Sequence, residues 1–345
     1  MSSGSTPALS MRLWDPAQSF RDNTAVPANA DHNDSTIKAA VADATASSPL
    51  VSFVVATFNR KEVLKETLRL VLQQDYAPKQ IIVVDNHSAD GTEQMMRSEF
   101  SAESLEYVRL SENKGAAGGK NEGIRRAKGQ FIIITDDDAL LESRDATARI
   151  VERFSSDPDV GLLSLKSINF YTRRIDRKEF PHVDKSLDAD KEFETSYFVG
   201  TGHAVRREVL DKAGLYCDDF FPYAFEELDW SFRIIDAGFK IVYFPGAVVL
   251  HKKDPGGRVC EKAMWARMLE NRIRTSVRNL PWRYVIASSL VWAGFVTFKA
   301  RGDVRVVAEA VWRIARDARR LSRQRRPITA ESLAKIKRLR GRLAY

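Results

Sequence analysis

Short apolar runs alternate with segments of helical hydrophobic spacing in the first half of the chain. Each run predicts a strand, and the segment after the first run, residues 61–74, has its apolar residues on one helical face. Short strands that alternate with helices are typical of an α/β domain with a mainly parallel central sheet flanked by helices. The predicted strands are VSFVVATF (51–58), IIVVD (81–85), LEYVRL (105–110) and FIIIT (131–135).

The pattern is more mixed in the second half of the chain. Strands are predicted for VGLLSLKS (160–167) and KIVYF (240–244). REVLDKAG (207–214) is predicted to be a helix that ends at its glycine. From Glu261 onward the chain is predicted to be helical. Residues 1–48 contain few large apolar side chains and are predicted to be a disordered extension.

Two C-terminal segments raise the question of a membrane. YVIASSLVWAGFVTF (284–298) is apolar but has only 15 residues, fewer than the roughly 20 that span a bilayer. A buried core helix and an interfacial helix both remain open for it. Residues 306–326 combine an apolar face with many arginines, a pattern that suits an anionic membrane surface.

Composition excludes a disulfide-rich secreted scaffold. The chain is 44% hydrophobic and 29% charged, which is ordinary for a soluble protein. Its two cysteines, Cys217 and Cys260, are too few for a disulfide framework, so reduced thiols are expected. The N-terminus has no basic start followed by an apolar core, so we predict no secretory signal and a cytoplasmic location.

The net charge of +8 is distributed unevenly along the chain. Residues 252–345 contain 24 Lys and Arg against 7 Asp and Glu, a net charge of +17. Residues 1–251 contain 30 against 39, a net charge of −9. The basic C-terminal region predicts a contact with a membrane surface, a nucleic acid or an acidic substrate. Because no aromatic-interleaved nucleic-acid motif is present, a peripheral membrane contact on the cytoplasmic face is the favoured use.

Polar residues follow three of the predicted strands directly. Asn59, Asp85 and Asp136 lie just past strand ends, and ligands of parallel α/β sheets bind beyond the carboxyl ends of strands. We therefore expect these residues along one edge, at a binding site. Asn59 and Glu62 also have the spacing of a helix capping box.

Three consecutive aspartates follow the fourth predicted strand. Alternate side chains of an extended chain share a face, so Asp136 and Asp138 are expected together, with Asp137 on the other side. Two such carboxylates can contact a hard divalent cation, Mg²⁺ or Mn²⁺. Taken alone, this D-x-D motif is also compatible with a solvated acidic turn.

The order of the motifs resembles that of the inverting family 2 glycosyltransferases, which have the GT-A nucleotide-sugar transferase fold. The resemblance covers roughly residues 50–255. It implies a GT-A catalytic domain at 49–255, followed by a basic helical region at 256–345. The motifs that carry it are Thr57–Arg60, Val84–Thr92, Asn113–Gly123, Asp136–Asp138, Glu226–Asp229 and His251.

The resemblance implies a donor site and a metal site. Asp136, Asp138 and His251 would hold the divalent metal. The small-residue loop Gly200–His203 resembles one that lies near donor sugar and acceptor in the family, so His203 is expected either to contact one of them or to lie on the surface. The implied donor-binding residues are Thr57, Asn59, Arg60, Asp85, Gly115, Lys120, Asp136, Asp137 and Gly202.

The catalytic base is implied within one acidic segment. Glu226, Glu227 and Asp229 stand where the family carries the base that takes the acceptor hydroxyl proton. Glu227 matches the usual aspartate by position, but it is one methylene longer, so Asp229 stays open as an alternative. Taken alone, the segment is equally an acidic first helical turn, which is favourable at a helix N-terminus.

The resemblance thus implies a metal-dependent inverting transferase that uses a UDP- or dTDP-sugar. The expected acceptor is a polysaccharide, a glycolipid or a lipid-linked glycan, with a small natural product as an alternative. A nucleotidyltransferase is a second alternative, but the glycine-rich phosphate loop expected after its first strand is replaced here by ATFNRKEV. A non-enzymatic basic binding protein is a third.

Overall fold

The structure is a computed structural model that describes residues 48–254 and 261–344. The predicted disordered extension, apart from residue 48, lies outside the described residues, and so does Cys260. The other cysteine, Cys217, is a buried free thiol whose pKa is raised to about 11 by burial. This protonated thiol suits a packing role rather than a reactive one.

A nine-stranded mixed sheet forms the centre of the described chain. Its order is β3-β2-β1-β4-β8-β6-β9-β5. The ninth strand, β7, also pairs with β9, at a different part of that strand from β5. The strands are β1 (Val51–Thr57), β2 (Lys79–Asp85), β3 (Leu105–Arg109), β4 (Phe131–Asp136), β5 (Ala139–Leu141), β6 (Val160–Asn169), β7 (Phe193–Thr195), β8 (Gly202–Arg206) and β9 (Lys240–His251).

The register of the parallel half aligns the polar strand ends. β1 pairs in parallel with both β2 and β4, so that Thr57 stands opposite Asp85 and Ala56 opposite Asp136. All six predicted strands are present, and helices on both faces bury most of their apolar runs, except in the edge strand β3, which is only half-buried. The sequence pattern missed β5, β7 and β8, which have only three to five residues each. β8 is antiparallel to both of its neighbours, β4 and β6.

Helices flank the sheet and then continue as a C-terminal bundle, which confirms the predicted α/β class and helical extension. The predicted helix at residues 207–214 is present and ends at Gly214, which has the positive φ of 69° that favours glycine. The helices are α1 (Lys61–Leu72), α2 (Thr92–Glu99), α3 (Gly115–Arg126), α4 (Ala146–Ser156), α5 (Arg207–Ala213), α6 (Glu226–Asp236), α7 (Glu261–Asn279), α8 (Trp282–Lys299), α9 (Arg305–Arg316), α10 (Ala318–Gln324) and α11 (Ala330–Arg338).

The predicted capping box at Asn59 is wrong. Helix α1 has Arg60 as its N-cap, without a side-chain capping bond. Instead, the carboxylate of Asp90 accepts a hydrogen bond of 2.8 Å from the backbone N–H of Lys61. Asn59 has a φ of 53°, and its side-chain oxygen accepts a hydrogen bond from the N–H of Ala89. The helix N-terminus is therefore capped by a neighbouring turn, which local spacing cannot predict.

The C-terminal helices pack only partly on the rest of the chain. The apolar segment 284–298 lies within α8, where Val285, Ser288 and Val296 are buried while several large apolar residues are exposed. Of the two alternatives left open for this segment, the buried core helix does not match the exposure of α8. In the described ranges 48–254 and 261–344, no helix has both the length and the apolar character needed to cross a membrane.

Candidate active site

A cavity of about 430 Å³ opens at the carboxyl ends of β1 and β4. Its floor is formed by the strand ends, and one wall is formed by the segment that leads into α6. Most of its side chains are polar, although the fold places them beside a buried sheet. The cavity is lined by Ala56, Thr57, Phe58, Arg60, Asn86, Asn113, Gly115, Ala116, Lys120, Asp136, Asp137, Asp138, Pro222, Tyr223, Ala224, Glu226, Glu227 and His251.

Three side chains in this cavity have the arrangement of a metal site. One ligand atom from each of Asp136, Asp138 and His251 lies within 4.8 Å of the other two. Asp138 Oδ1 is buried, lies 3.4 Å from His251 Nε2, and has no hydrogen-bond partner among the residues described. An orphaned carboxylate oxygen beside a second carboxylate and an imidazole fits a hard or borderline divalent cation.

Asp137 is separated from its two neighbours. Its carboxylate accepts hydrogen bonds from the Thr57 hydroxyl at 2.7 Å and from Arg60 Nη1 at 2.8 Å. Its carbonyl oxygen accepts a third from the Thr67 hydroxyl. Burial raises the pKa of Asp137 to about 6, although Arg60 opposes the shift. Asp137 therefore ties the cavity floor to the start of α1, while Asp136 and Asp138 share the metal-site cluster.

Glu179 supports the imidazole of His251 from outside the cavity. Its two carboxylate oxygens lie 2.9 and 3.0 Å from His251 Nδ1, so Nε2 is the nitrogen that faces Asp138. Burial alone would lower the pKa of His251, but Asp138 and Glu179 outweigh it and raise this pKa to about 9. A carboxylate on the far nitrogen orients a histidine ligand and increases its basicity.

We expect Glu179→Gln to weaken binding of Mn²⁺ about 10- to 100-fold, because the carboxylate that orients His251 is lost. Titration calorimetry with MnCl₂ measures this effect directly. Glu192→Gln is the matched control: Glu192 lies on the same insertion before β7 and pairs with Arg153, away from His251. Equal Mn²⁺ affinities for the two variants would remove Glu179 from the site.

The acidic segment forms the first turn of α6. Both Glu226 and Glu227 line the cavity; Glu227 is half-buried, whereas Glu226 is buried with its Oε2 unpartnered among the residues described. Burial raises the pKa of both carboxyls, most strongly that of Glu226, which is also raised by the charge of Glu227. Lys120 opposes these shifts, and its ammonium lies 2.9 Å from Asp136 Oδ1. Lys120 thus links the acidic turn to the metal-site cluster.

The turn before α6 has an unusual backbone. Ala224 and Phe225 have φ values of 88° and 71°, in the left-handed region that non-glycine residues rarely adopt. The side-chain amide of Asn271, on α7, donates to the carbonyl oxygens of Tyr223 and Ala224 at 3.0 and 3.2 Å. The C-terminal helices therefore hold the cavity wall, and such strain is typical of functional sites.

Asp229 lies outside the cavity, in contrast to the role kept open for it as a base. It is fully buried, and its carboxylate accepts hydrogen bonds from Arg233, Arg278 and Asn279 at 2.6–3.1 Å. Burial alone would raise its pKa, but the two arginines lower it. Asp229 therefore joins α6 to α7 and has no oxygen free to meet an acceptor.

Glu227 is packed closely against Gly200. A Cβ atom added at Gly200 would overlap Glu227 Oε1, far inside van der Waals contact. The absence of a side chain at this position therefore sets where the Glu227 carboxylate lies. The resemblance placed the Gly200–His203 loop near the sugar and the acceptor, and this contact joins the loop to the acidic turn.

We expect Gly200→Ala to lower the rate of any reaction that uses Glu227 by about 100-fold, since an error near 1 Å at a reacting group has that scale of effect. Gly294→Ala is the matched control, because a Cβ at Gly294 meets no atom within 4 Å among the described residues. Turnover and melting temperature should be measured for both. A Gly200→Ala variant with full turnover would show that Glu227 needs no such placement.

Comparisons with known proteins identify the family of this chain. The family described as "Glycosyl transferase family 2" matches residues 52–214. An uncharacterized protein of Haemophilus influenzae is 30% identical over 176 residues, which are 49% of this chain and 94% of that protein. The chain belongs to glycosyl transferase family 2. A Staphylococcus aureus protein named poly-beta-1,6-N-acetyl-D-glucosamine synthase is 30% identical over 225 residues, 63% of this chain.

The alignment spans only 54% of the S. aureus synthase. Nearly half of that enzyme therefore has no aligned counterpart in this chain. Among solved structures, a mannosyltransferase from Pyrobaculum calidifontis in complex with GDP-Man and Mn²⁺ superimposes with a TM-score of 0.52. Its sequence identity is 22%, and the match covers 85% of this chain and 80% of that one. This likeness supports the GT-A fold expected for a family 2 glycosyltransferase.

The predicted donor residues of this family 2 chain separate into two groups. Those that line the cavity are Thr57, Arg60, Gly115, Lys120, Asp136 and Asp137. Asn59, Asp85 and Gly202 do not line it. Gly202 lies within β8 opposite Thr135 and packs against Val249. Gly115 has a φ of 75°, and a Cβ there would lie 2.8 Å from the Pro222 carbonyl oxygen, so only glycine fits this approach.

The carboxylate of Asp85 forms hydrogen bonds with the turn that follows β2 and with β3. It accepts hydrogen bonds from the N–H of Ser88 at 2.7 Å and from the Tyr107 hydroxyl at 2.6 Å, and the residue is fully buried. These contacts fit a turn-stabilising aspartate. The neighbouring Asn86 lines the cavity instead, and its amide donates to the Gly115 carbonyl oxygen at 3.0 Å.

His203 lies in the protein interior, which excludes the expected surface location. Its Nε2 is 2.6 Å from the Tyr216 hydroxyl, and burial lowers its pKa well below the ordinary value. Asn121, on α3, binds the backbone of Tyr216 through both polar side-chain atoms, which is a structural contact. Sequence reasoning missed Phe58, Asn86, Asn113, Pro222 and Tyr223 as lining residues, although Phe58 and Asn86 directly follow strand ends.

Proposed function

We propose that this chain is a metal-dependent inverting glycosyltransferase that moves a sugar from UDP or dTDP to an acceptor hydroxyl. The observation that carries the proposal is that one cavity contains both a carboxylate suited to act as base, Glu227, and the cluster of Asp136, Asp138 and His251. Transfer with inversion needs both parts: a base on the acceptor side and positive charge at the departing diphosphate.

The donor diphosphate would meet the cluster of two carboxylates and one imidazole through a divalent cation. When bound, such a cation neutralises charge that develops on the leaving diphosphate. Asp136, Asp138 and His251 would hold it, and Arg60 and Thr57 would keep Asp137 and the cavity floor in place. The ammonium of Lys120 adds a fixed positive charge at Asp136.

Glu227 would take the proton from the acceptor hydroxyl. The acceptor oxygen then forms a bond to the anomeric carbon as the bond from that carbon to the diphosphate oxygen breaks, and the nucleoside diphosphate leaves with the electron pair. Glu226 is buried, and burial together with the charge of Glu227 raises its pKa well above the ordinary value, which favours its neutral form. Glu227 is only half-buried in the cavity, so it is the carboxylate better placed to accept the proton. Adjacent carboxyls in different environments can take different roles.

A binding screen tests the donor. UDP-, dTDP- and GDP-sugars should be titrated with and without Mn²⁺, since the Pyrobaculum mannosyltransferase was solved with GDP-Man and Mn²⁺. We expect Mn²⁺-dependent binding of a uridine or thymidine nucleotide sugar. Once a sugar is identified, NMR of the first product should show the anomeric configuration opposite to that of the donor. Binding of GDP-sugars alone would overturn the proposed uridine or thymidine donor. Retention of the donor's anomeric configuration would overturn the proposed inverting mechanism.

For the acceptor we propose a growing polysaccharide, a glycolipid or a lipid-linked glycan presented at the cytoplasmic face of a membrane. The name of the S. aureus relative supports a glycan acceptor. The net charge of +17 over residues 252–345 supports a membrane-side location. A small natural product acceptor would leave that charge without a role.

A nucleotidyltransferase would differ in its products, because it releases pyrophosphate instead of a nucleoside diphosphate. Its phosphate loop would follow β1, but here that turn contains Arg60, which binds Asp137 at 2.8 Å, and has no glycine. Product analysis by anion-exchange chromatography distinguishes the two reactions, and pyrophosphate as product would favour the nucleotidyltransferase.

A further inference from the structure

Large apolar side chains are exposed on one part of the C-terminal bundle. Of the eleven large hydrophobic residues exposed within the described ranges, nine lie between residues 282 and 312. We call this set the apolar face. It consists of Trp282, Ile286, Leu290, Val291, Phe295, Phe298, Val304, Val311 and Trp312.

Helix α8 is apolar around most of its circumference. No charged residue occurs from Tyr284 to Phe298, yet only a narrow strip that includes Val285 and Val296 is buried against the bundle. A helix that is hydrophobic all round is normally buried in a protein core or in a membrane. With Leu290 exposed at 70% and Phe298 at 79%, the outer side of this helix is covered by no other part of the described chain.

Helix α9 continues the apolar face with a regular stripe. Val304, Ala308, Val311, Trp312 and Ala315 are exposed and have the spacing of a single helical face, while Val306 and Ala310 pack inward. Several large apolar side chains exposed on neighbouring helices are typical of an interaction site. Exposed tryptophans suit a boundary that is apolar on one side and wet on the other.

Basic residues surround the apolar face. Residues 282–326 contain 11 Lys and Arg against 3 Asp and Glu. The exposed cations near the face are Arg283, Lys299, Arg301, Arg305, Arg316 and Arg319. Long basic side chains beside an apolar helical face are the pattern of helices that lie in an anionic membrane interface.

We propose that the apolar face of α8 and α9 docks peripherally on a bilayer that contains anionic lipids. Its apolar side chains enter the acyl boundary and its arginines contact lipid phosphates. A second copy of this chain is a poorer occupant, because an isologous contact would bring the same cationic surfaces together. The biological reason for such docking rests on the proposed function, in which the acceptor lies at a membrane. The docking itself can be measured without any sugar transfer.

The test is flotation of the full chain with vesicles of phosphatidylcholine, either pure or with 30% phosphatidylglycerol. We expect the wild-type chain to float with the anionic vesicles and about tenfold less with the neutral ones. The triple variant Ile286→Ser, Leu290→Ser, Phe298→Ser should lose at least about tenfold in partitioning. The double variant Arg305→Glu, Arg316→Glu should lose a similar factor on anionic vesicles only.

Two control variants match these changes elsewhere on the surface. Tyr171→Ser removes a large apolar side chain that is 72% exposed outside the face, and Lys191→Glu reverses an exposed charge. Both should float like wild type. Because the replaced side chains are exposed, melting temperatures should change little, and circular dichroism checks this.

Three results would overturn the proposal. The first is a wild-type chain that stays with the soluble fraction in the presence of anionic vesicles. The second is equal flotation of wild type and both face variants. The third is a wild-type dimer, seen by light scattering, that the triple variant converts to monomer without any vesicle binding. None of these results would bear on donor binding or on transfer to a soluble acceptor, so the proposed glycosyltransfer is tested separately.

Discussion

Replacing Glu227 with glutamine is expected to lower turnover about 10³-fold while nucleotide binding is kept. The amide cannot take the acceptor proton, yet it keeps the shape that Gly200 accommodates. Rates should be measured at saturating donor and acceptor, and donor affinity should be measured by calorimetry in the presence of Mn²⁺. Turnover near that of the wild-type chain would show that Glu227 is not the base.

Glu226→Gln is the matched control for this experiment. The pKa of Glu226 is raised well above its ordinary value by burial and by the charge of Glu227. Burial favours the neutral form of Glu226, which resembles glutamine in shape and charge, so we expect a loss of less than about tenfold. A larger loss for Glu226→Gln than for Glu227→Gln would exchange the two roles.

The Asp229→Asn variant tests whether Asp229 is a catalytic base or a structural carboxylate. Asp229 binds Arg233 and Arg278 with no exposure to solvent, and removing one partner of a buried ion pair costs about 3–5 kcal/mol of stability. We expect its melting temperature to fall clearly and the turnover of the folded fraction to change less than in Glu227→Gln. The reverse pattern would restore Asp229 as the base.

The pH dependence of turnover gives an independent test of Glu227 as the base. Glu227 must be unprotonated to act, and burial raises its pKa above the ordinary carboxyl value. Activity should therefore be present at neutral pH and be lost as the pH falls through this raised value, at a higher pH than for an exposed glutamate. In Glu227→Gln this acidic limb should disappear from the residual rate.

The strands and the metal-site cluster were predictable from sequence because they depend on local pattern. A continuous apolar run fits a strand that is buried on both faces, and a polar residue at the end of such a strand lies at the sheet edge. Asp136 and Asp138 share a face by the two-residue period of an extended chain. Only the ordered motifs of the family connected His251, 113 residues further on, to the same place.

Other parts of the site depend on contacts between distant segments. Glu179 lies in a segment without hydrophobic period, so no pattern indicated that its carboxylate would meet His251 at 2.9 Å. The turn at Ala224 and Phe225 is held by Asn271, from the region predicted to be a separate basic extension. The C-terminal helices are therefore part of the site's support, which composition and charge could not reveal.

At Asp85 the sequence predicted a ligand contact, but the side chain does not line the cavity. Its position at a strand end and its family motif both predicted a donor contact, yet its carboxylate is satisfied by Ser88 and Tyr107. A side chain at the right edge of a sheet still has two directions in which to form hydrogen bonds. Only the three-dimensional arrangement decides between the ligand and the turn, and here Asn86 faces the cavity instead.

Asp138→Asn is expected to lower Mn²⁺ affinity at least about 100-fold, since even residues that merely support a metal ligand contribute 10- to 100-fold. The change removes the negative charge of the carboxylate that carries the orphaned oxygen. Titration with MnCl₂, with and without UDP, measures the metal directly and does not require the acceptor. Affinity equal to that of the wild-type chain would remove Asp138 from the site.

Asp137→Asn is the comparison that gives this result its meaning. Both residues are buried aspartates beside Arg60, but the carboxylate of Asp137 is satisfied by Thr57 and Arg60 while Asp138 keeps an oxygen for a ligand. We expect Asp137→Asn to lower the melting temperature and to change Mn²⁺ affinity less than about tenfold. If instead only Asp137→Asn abolished Mn²⁺ binding, the assignment would reverse. The three adjacent aspartates can thus be assigned to different tasks, because burial and hydrogen bonding distinguish groups that look equivalent in the sequence.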